Sequence, residues 1–175
     1  MNNLFLTGKK GVGKSTIIKN IIEKINYPLG GYITKKEIEN HIKTFSIKSL
    51  YDDKIYPIAK VNIKTFEKEI FVDNFKGPIP LILDKSLKNR DLIILDELGF
   101  MENDIESFTS KVYEILDSSK IVFGVLKDYN CEFLNNIKTR DDVLIIEITE
   151  INRNTISQEI MNILKEFRIC QIKNR

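Results

Sequence analysis

GKKGVGKST, residues 8–16, follows directly on the apolar run Leu4-Phe5-Leu6. Three glycines, three lysines and two hydroxyls in nine positions do not favour an ordered loop by themselves. Glycine loses more backbone freedom on folding than any other residue, and clustered lysines repel one another. A bound polyanion resolves both problems. The first eight residues fit the phosphate-binding pattern GxxxxGKS in full, and Thr16 follows. Gly8, Gly11 and Gly13 let the main chain curl so that successive N–H groups, including those of Lys9, Lys10 and Val12, point inward at phosphate oxygens. Lys14 is placed to reach the terminal phosphates as a point charge, and the Ser15 hydroxyl to ligate Mg²⁺. The side chains of Lys9 and Lys10 are expected to be exposed.

The pattern gains specificity from its surroundings. Asn3 to Thr7 reads as a short buried strand. After the loop, Ile17, Ile18, Ile21, Ile22 and Ile25 recur at helical spacing. The loop therefore leaves a strand and enters a helix, whose dipole adds to the attraction for phosphate. From Tyr32 to about Phe75 the runs YITKKEI, IKTFSIKSL, KIYPIAKVNI and EIFVDNF approach period two and predict antiparallel strands. This meander, about residues 31–75, reads as an insertion in the sheet or an extension of it. A helix is expected over PLILDKSLKN, a strand at Leu92 to Leu95, and a helix over Ile105 to Leu116. A strand at Ile121 to Val125, a short helix near Cys131 to Ile137, a strand at Val143 to Ile148 and a helix over Ser157 to Phe167 complete the chain. Strand–helix alternation at both ends predicts an α/β three-layer sandwich. Its central sheet is mostly parallel, helices cover both faces, and antiparallel strands extend it. The whole chain, residues 1–175, is read as one domain.

A phosphate loop of this type calls for a second, acidic motif. Leu92 to Leu95 is the most apolar run in the chain and stops at Asp96-Glu97. Ligands of an open parallel sheet bind beyond the carboxyl ends of its strands, so Asp96 would face the loop and hold Mg²⁺. Glu97 is placed to orient or deprotonate a water in line with the γ-phosphate. The plainer reading is that both residues begin a polar turn before Gly99.

Composition bounds the remaining classes. The 175 residues suffice for a core burying about 70% of the unfolded surface. Basic and acidic residues number 27 and 25, a balance that does not advertise a nucleic-acid partner. Two distant cysteines, Cys131 and Cys170, and a single histidine, His41, give neither a zinc site nor a disulfide framework. A reducing, cytoplasmic setting is expected. No apolar stretch approaches a membrane span, and the amino terminus lacks the features of a signal peptide.

DELGFME, Asp96 to Glu102, is similar to the DEIGKME-type segment of the small nucleoside-triphosphatases, a family with thermophile and human members. In the same order, GGYITKKEI at Gly30 to Ile38 resembles their glycine–aromatic–Thr–x–Glu strand. FVDNF at Phe71 to Phe75 resembles an aromatic–Val–Asp segment, and ITEINRNTI at Ile148 to Ile156 a closing Thr…Asn-Arg segment. The match spans nearly the whole chain. It implies Mg²⁺-dependent hydrolysis of ATP, GTP, CTP and UTP alike, in a P-loop enzyme of the class with a catalytic glutamate. One departure stands out: the lysine of GKME is Phe100 here.

Phosphoryl transfer depends mainly on positioning and charge neutralisation. Lys14 and Glu97 are the first catalytic candidates. Arg153, within the Asn-Arg pair, is the candidate arginine finger, with Arg140 second and a surface ion pair as the alternative for each. Glu102 is expected to cap the helix that follows, and His41 to sit on an exposed loop. Phe100, Tyr129 and Phe133 are the aromatic candidates for stacking a base. Two other functions compete. A nucleotide or small-molecule kinase would clamp phosphates with several lid arginines, yet the chain has five arginines and none between Leu92 and Thr139. A slow nucleotide-dependent binding module would bind without turnover. The tail RICQIKNR is too slight to argue nucleic-acid contact.

Overall fold

A computed structural model describes residues 1–167 of the chain. The closing RICQIKNR segment, and Cys170 with it, lies outside the described residues. The elements run in the order β1 (Asn3–Thr7), α1 (Lys14–Ile22), β2 (Leu29–Glu39), β3 (Ile42–Ser49), β4 (Ile55–Asn62), β5 (Lys68–Ile70), α2 (Val72–Lys76) and α3 (Pro78–Asn89). They continue with β6 (Leu92–Leu98), α4 (Glu106–Leu116), β7 (Ile121–Leu126), α5 (Glu132–Lys138), β8 (Val143–Glu147) and α6 (Ser157–Glu166).

All eight strands form one sheet of order β5-β4-β3-β2-β6-β7-β1-β8. The pairs β2–β6, β6–β7, β7–β1 and β1–β8 are parallel, and β2–β3, β3–β4 and β4–β5 antiparallel. The central strands are continuously apolar because helices cover both faces. Successive residues feed opposite cores. Leu4, Leu6, Ile94 and Phe123 pack with Ile17, Ile18 and Ile21 of α1 and with Ile160 and Leu164 of α6. Phe5, Ile93, Leu95 and Val122 pack with Leu83 of α3, Phe108 and Val112 of α4, and Phe133 and Leu134 of α5. The architecture is the expected three-layer α/β sandwich.

The structure resolves the choice left open for the meander: it extends the sheet. Antiparallel pairing begins at Tyr32, as expected, opposite Ser49 of β3; on its other side β2 is a parallel partner of β6, pairing Tyr32 with Leu95. One correction concerns FVDNF, expected as strand. β5 ends at Ile70, and residues 72–76 are helical. This turn of helix swings Phe75 into the core, where its ring meets Phe108 edge-on at 5.4 Å. The Asn74 amide donates to the Pro57 carbonyl at 2.6 Å and ties the turn to β4.

Two details position the site. β7 lies between β1 and β6, so the phosphate loop and the acidic pair come from strands that are not neighbours. Gly124 of β7 is paired with Phe5 on one side and Leu95 on the other. A Cβ there would stand 2.6 Å from the Leu95 carbonyl oxygen and 2.6 Å from the Phe5 ring. No described helix is long and apolar enough to cross a membrane.

Candidate active site

The loop between β1 and α1 curls around its own lysine. Gly8 adopts φ 131°, and a Cβ on it would meet the Ile148 carbonyl oxygen at 2.3 Å, so the loop presses against the segment after β8 in a way only glycine permits. Gly13, at φ 115°, caps α1. Lys9 and Lys10 are exposed, as expected; Gly11 and Thr16 are exposed as well, and Val12 is buried. The Lys14 ammonium is buried and donates to the carbonyls of Gly8 at 2.5 Å and Lys9 at 3.0 Å. Burial lowers its pKa, with Glu97 and then Asp128 acting in the opposite direction.

The acidic pair reaches this loop. The Ser15 hydroxyl donates to Asp96 Oδ1 at 3.2 Å. β6 does not stop at Leu95, as expected, but continues to Leu98 through a shift of register against β7 between Leu95 and Leu98. That irregularity buries Asp96 and leaves Glu97 partly exposed at the rim. Asp96 Oδ2 is buried and accepts no hydrogen bond among the described residues. Burial, reinforced by the Glu97 charge, pushes the Asp96 carboxyl up to about 6, against the Ser15 hydrogen bond.

This donor set fits a small hard cation. A serine hydroxyl and a carboxylate with an unused, buried oxygen are oxygen ligands of the kind Mg²⁺ takes. The described residues contain no cluster of three or more His, Cys, Asp or Glu side chains able to hold a metal. Mg²⁺ is commonly held by one or two carboxylates while waters and substrate phosphates complete its shell.

Several supporting residues carry little signal in the sequence. Thr34 of β2 donates its hydroxyl to the Asp96 carbonyl at 2.7 Å and accepts the Glu97 N–H at 3.1 Å, so it holds the peptide group that joins the two acids. Its only signal in the sequence was its place as the threonine of the glycine–aromatic–Thr–x–Glu resemblance. Lys127, just beyond β7, pairs with Glu97 at 3.9 Å. Asn152 accepts the Thr149 N–H at 2.8 Å and donates to the Glu147 carbonyl at 2.9 Å, closing the turn that backs Gly8.

The arginine candidates separate. Arg153 is exposed on the turn after β8, on the carboxyl edge of the sheet with the phosphate loop, and makes no ion pair among the described residues. Arg140 precedes β8 and so lies at the opposite edge. Its guanidinium grips Asp142 through two 2.8 Å bonds and Asp117 at 2.7 Å, the ion-pair alternative raised for it. Glu102 does not cap α4, whose N-cap position is Ile105 with no side-chain hydrogen bond. It is buried and accepts the Gly99 N–H at 2.5 Å, closing the turn after β6. His41 is exposed in the turn between β2 and β3. Phe133 is buried in the core and unavailable to a base, whereas Phe100 and Tyr129 are exposed and pair at 5.0 Å.

The sequence model of the family described as NTPase matches residues 3–161, nearly the whole described chain. The chain belongs to this NTPase family. It is 34% identical over 175 residues to the nucleoside-triphosphatase THEP1 of Thermotoga maritima, an alignment covering 93% of this chain and 95% of that one. The nucleoside-triphosphatase THEP1 of Methanocaldococcus jannaschii is 32% identical over 167 residues, covering 91% and 95%. The crystal structure of THEP1 from the hyperthermophile Aquifex aeolicus superposes with a TM-score of 0.77 at 26% identity, covering 94% of this chain and 99% of the other. The P-loop fold expected from residues 8–16 is therefore shared with a solved member of the NTPase family.

Proposed function

We propose that this chain hydrolyses nucleoside 5′-triphosphates to the diphosphate and phosphate, with Mg²⁺ and with little preference among ATP, GTP, CTP and UTP. The observation that carries the reading is the approach of Ser15 to Asp96 at 3.2 Å across an intervening strand, with Glu97 beside it and Lys14 behind. The names of the family's relatives support the same reaction class.

Each residue has a separate task. The amides of residues 8–16 and the Lys14 ammonium hold the β- and γ-phosphates, charge against charge, at the amino end of α1. Ser15 and Asp96 would hold Mg²⁺, which when bound supplies neutralisation of the charge on the phosphate oxygens. Glu97, partly exposed, orients the attacking water and accepts its proton. Arg153, on the other flank of the loop and free of ion pairs among the described residues, is the arginine available to the polyphosphate. Low selectivity accords with the absence of the Asn-Lys-x-Asp pattern that fixes guanine.

Phosphate release with no acceptor present tests the reading directly. The wild-type chain with Mg²⁺ should release phosphate from all four triphosphates at comparable rates; transfer seen only when a nucleoside or monophosphate is added would establish a kinase instead. Lys14→Ala should weaken triphosphate binding and abolish turnover. Glu97→Gln should retain binding and lower turnover by about 10²–10⁴-fold, the range expected for loss of a general base. Undiminished turnover in the Gln variant would remove Glu97 from the mechanism.

A further inference from the structure

Among the described residues the Glu97 carboxylate has one ion-pair partner, and no motif predicts it. Lys127 stands 31 positions from residue 96 and follows a different strand, yet its ammonium lies 3.9 Å from Glu97 Oε1. Its placement is fixed at three levels. The Lys127 N–H donates to the Leu98 carbonyl at 2.9 Å, which joins the loop after β7 to the end of β6 one residue past Glu97. Its aliphatic stem runs past Gly99, where an added Cβ would touch Lys127 Cδ at 3.6 Å. Its charged head sits 4.4 Å from the centre of the Phe100 ring, and that ring is paired with Tyr129 at 5.0 Å.

A cation over an aromatic face is attracted by the ring quadrupole, so Phe100 restricts where a long, flexible side chain can put its charge. Phe100 and Tyr129 are both large, apolar and exposed, at 41% and 48%. Packing in the core does not account for them, but seating the lysine does. The Lys127–Glu97 contact is itself too open and too long to add much to stability. Its consequence is geometric: it limits the directions available to a carboxylate that has no other ion-pair partner among the described residues.

Resting on the functional reading above, we propose that Lys127 is a positioning residue for hydrolysis, seated by Phe100 and Tyr129, which aims the Glu97 carboxylate at the attacking water. Small misplacements of a catalytic group are expensive in rate while leaving substrate affinity nearly untouched. The role therefore separates from a phosphate contact, which would appear in KM and in binding, and from a structural role, which would appear in melting temperature.

The test uses the full chain with Mg²⁺ and ATP. Lys127→Met should lower kcat by about 10–100-fold with KM changed by less than about threefold. The melting temperature should move by less than about 4 °C, as for loss of an open surface pair. Lys127→Arg should recover most of kcat, and Phe100→Ala should show a smaller loss than Lys127→Met. If Lys127 acts through Glu97, the double variant Glu97→Gln/Lys127→Met should be about as slow as Glu97→Gln alone. A wild-type kcat in Lys127→Met overturns the proposal. So does a loss carried mainly by KM, or a full multiplicative loss in the double variant. Absent turnover in the wild-type chain overturns the functional reading and this inference with it; the other outcomes bear on Lys127 alone.

Discussion

Glu102 shows how far a single side chain can depart from the role its position implies. At the end of DELGFME it looks like a helix cap, but its carboxyl is buried and bound to the Gly99 N–H at 2.5 Å. Burial pushes it up to about 7 from an ordinary 4.5, against the pull of the Gly99 bond and of Lys127. The folded chain therefore holds this proton more tightly than the unfolded chain does. Between those two values the folded state carries more protons, so stability rises on acidification and falls as pH increases through about 7. The full swing is on the order of 3 kcal/mol. Glu102→Gln can still accept the Gly99 bond and no longer titrates. Thermal melts without metal, from about pH 5 to about pH 8, should show a shallower decline for this variant than for wild type. Asp96, raised to about 6 in the same sense, remains to supply the residual slope. Parallel curves would show that Glu102 is not the titrating group.

Individual elements divide into those that local pattern dictates and those that distant partners decide. The phosphate loop, its flanking strand and helix, and the acidic end of β6 were legible because sequence neighbours alone carry their signals: glycines at set intervals, isoleucines at helical spacing, and four apolar residues before two acids. α2 was not legible. FVDNF alternates like a strand, yet it is helical, with Phe75 packed in the core against Phe108 and Asn74 bonded to Pro57 of β4. The parallel pairing of β2 was hidden for the same reason, since strand direction belongs to the partner β6. In the candidate site, Lys14, Ser15 and Asp96 were proposed from spacing, while Thr34 and Lys127 make contacts spanning 62 and 30 positions respectively, measured from Asp96 and Glu97. Thr34 also makes a prediction about its element. Its hydroxyl serves a carbonyl and an N–H where β6 breaks register, so Thr34→Val leaves both without that partner. The change should cost about 1–3 kcal/mol in denaturant unfolding, and it should lower turnover more than nucleotide affinity. Intact turnover would mean that β6 holds its irregular course unaided.

The whole molecule sets the two halves of the site on opposite sides of a third strand. β1 delivers the phosphate loop, β6 delivers the carboxylates, and β7 separates them, yet Ser15 and Asp96 meet at 3.2 Å. At mid-strand the spacer carries Gly124, with the Leu95 carbonyl and the Phe5 ring both crowding the place where a methyl group would stand. Phe5 belongs to the strand that feeds the loop, and Leu95 directly precedes Asp96. Gly124→Ala should therefore cost about 1–3 kcal/mol through overpacking. Where the variant still folds, its turnover should fall although no group that meets nucleotide has changed. Equal turnover and equal stability would show that the sheet absorbs the methyl without loss. The bare backbone at 124 thus works as a shim at its minimum thickness. On this view the gauge of the candidate nucleotide cleft is set from beneath, in the middle of the sheet, where a side chain would prise its jaws apart without touching substrate.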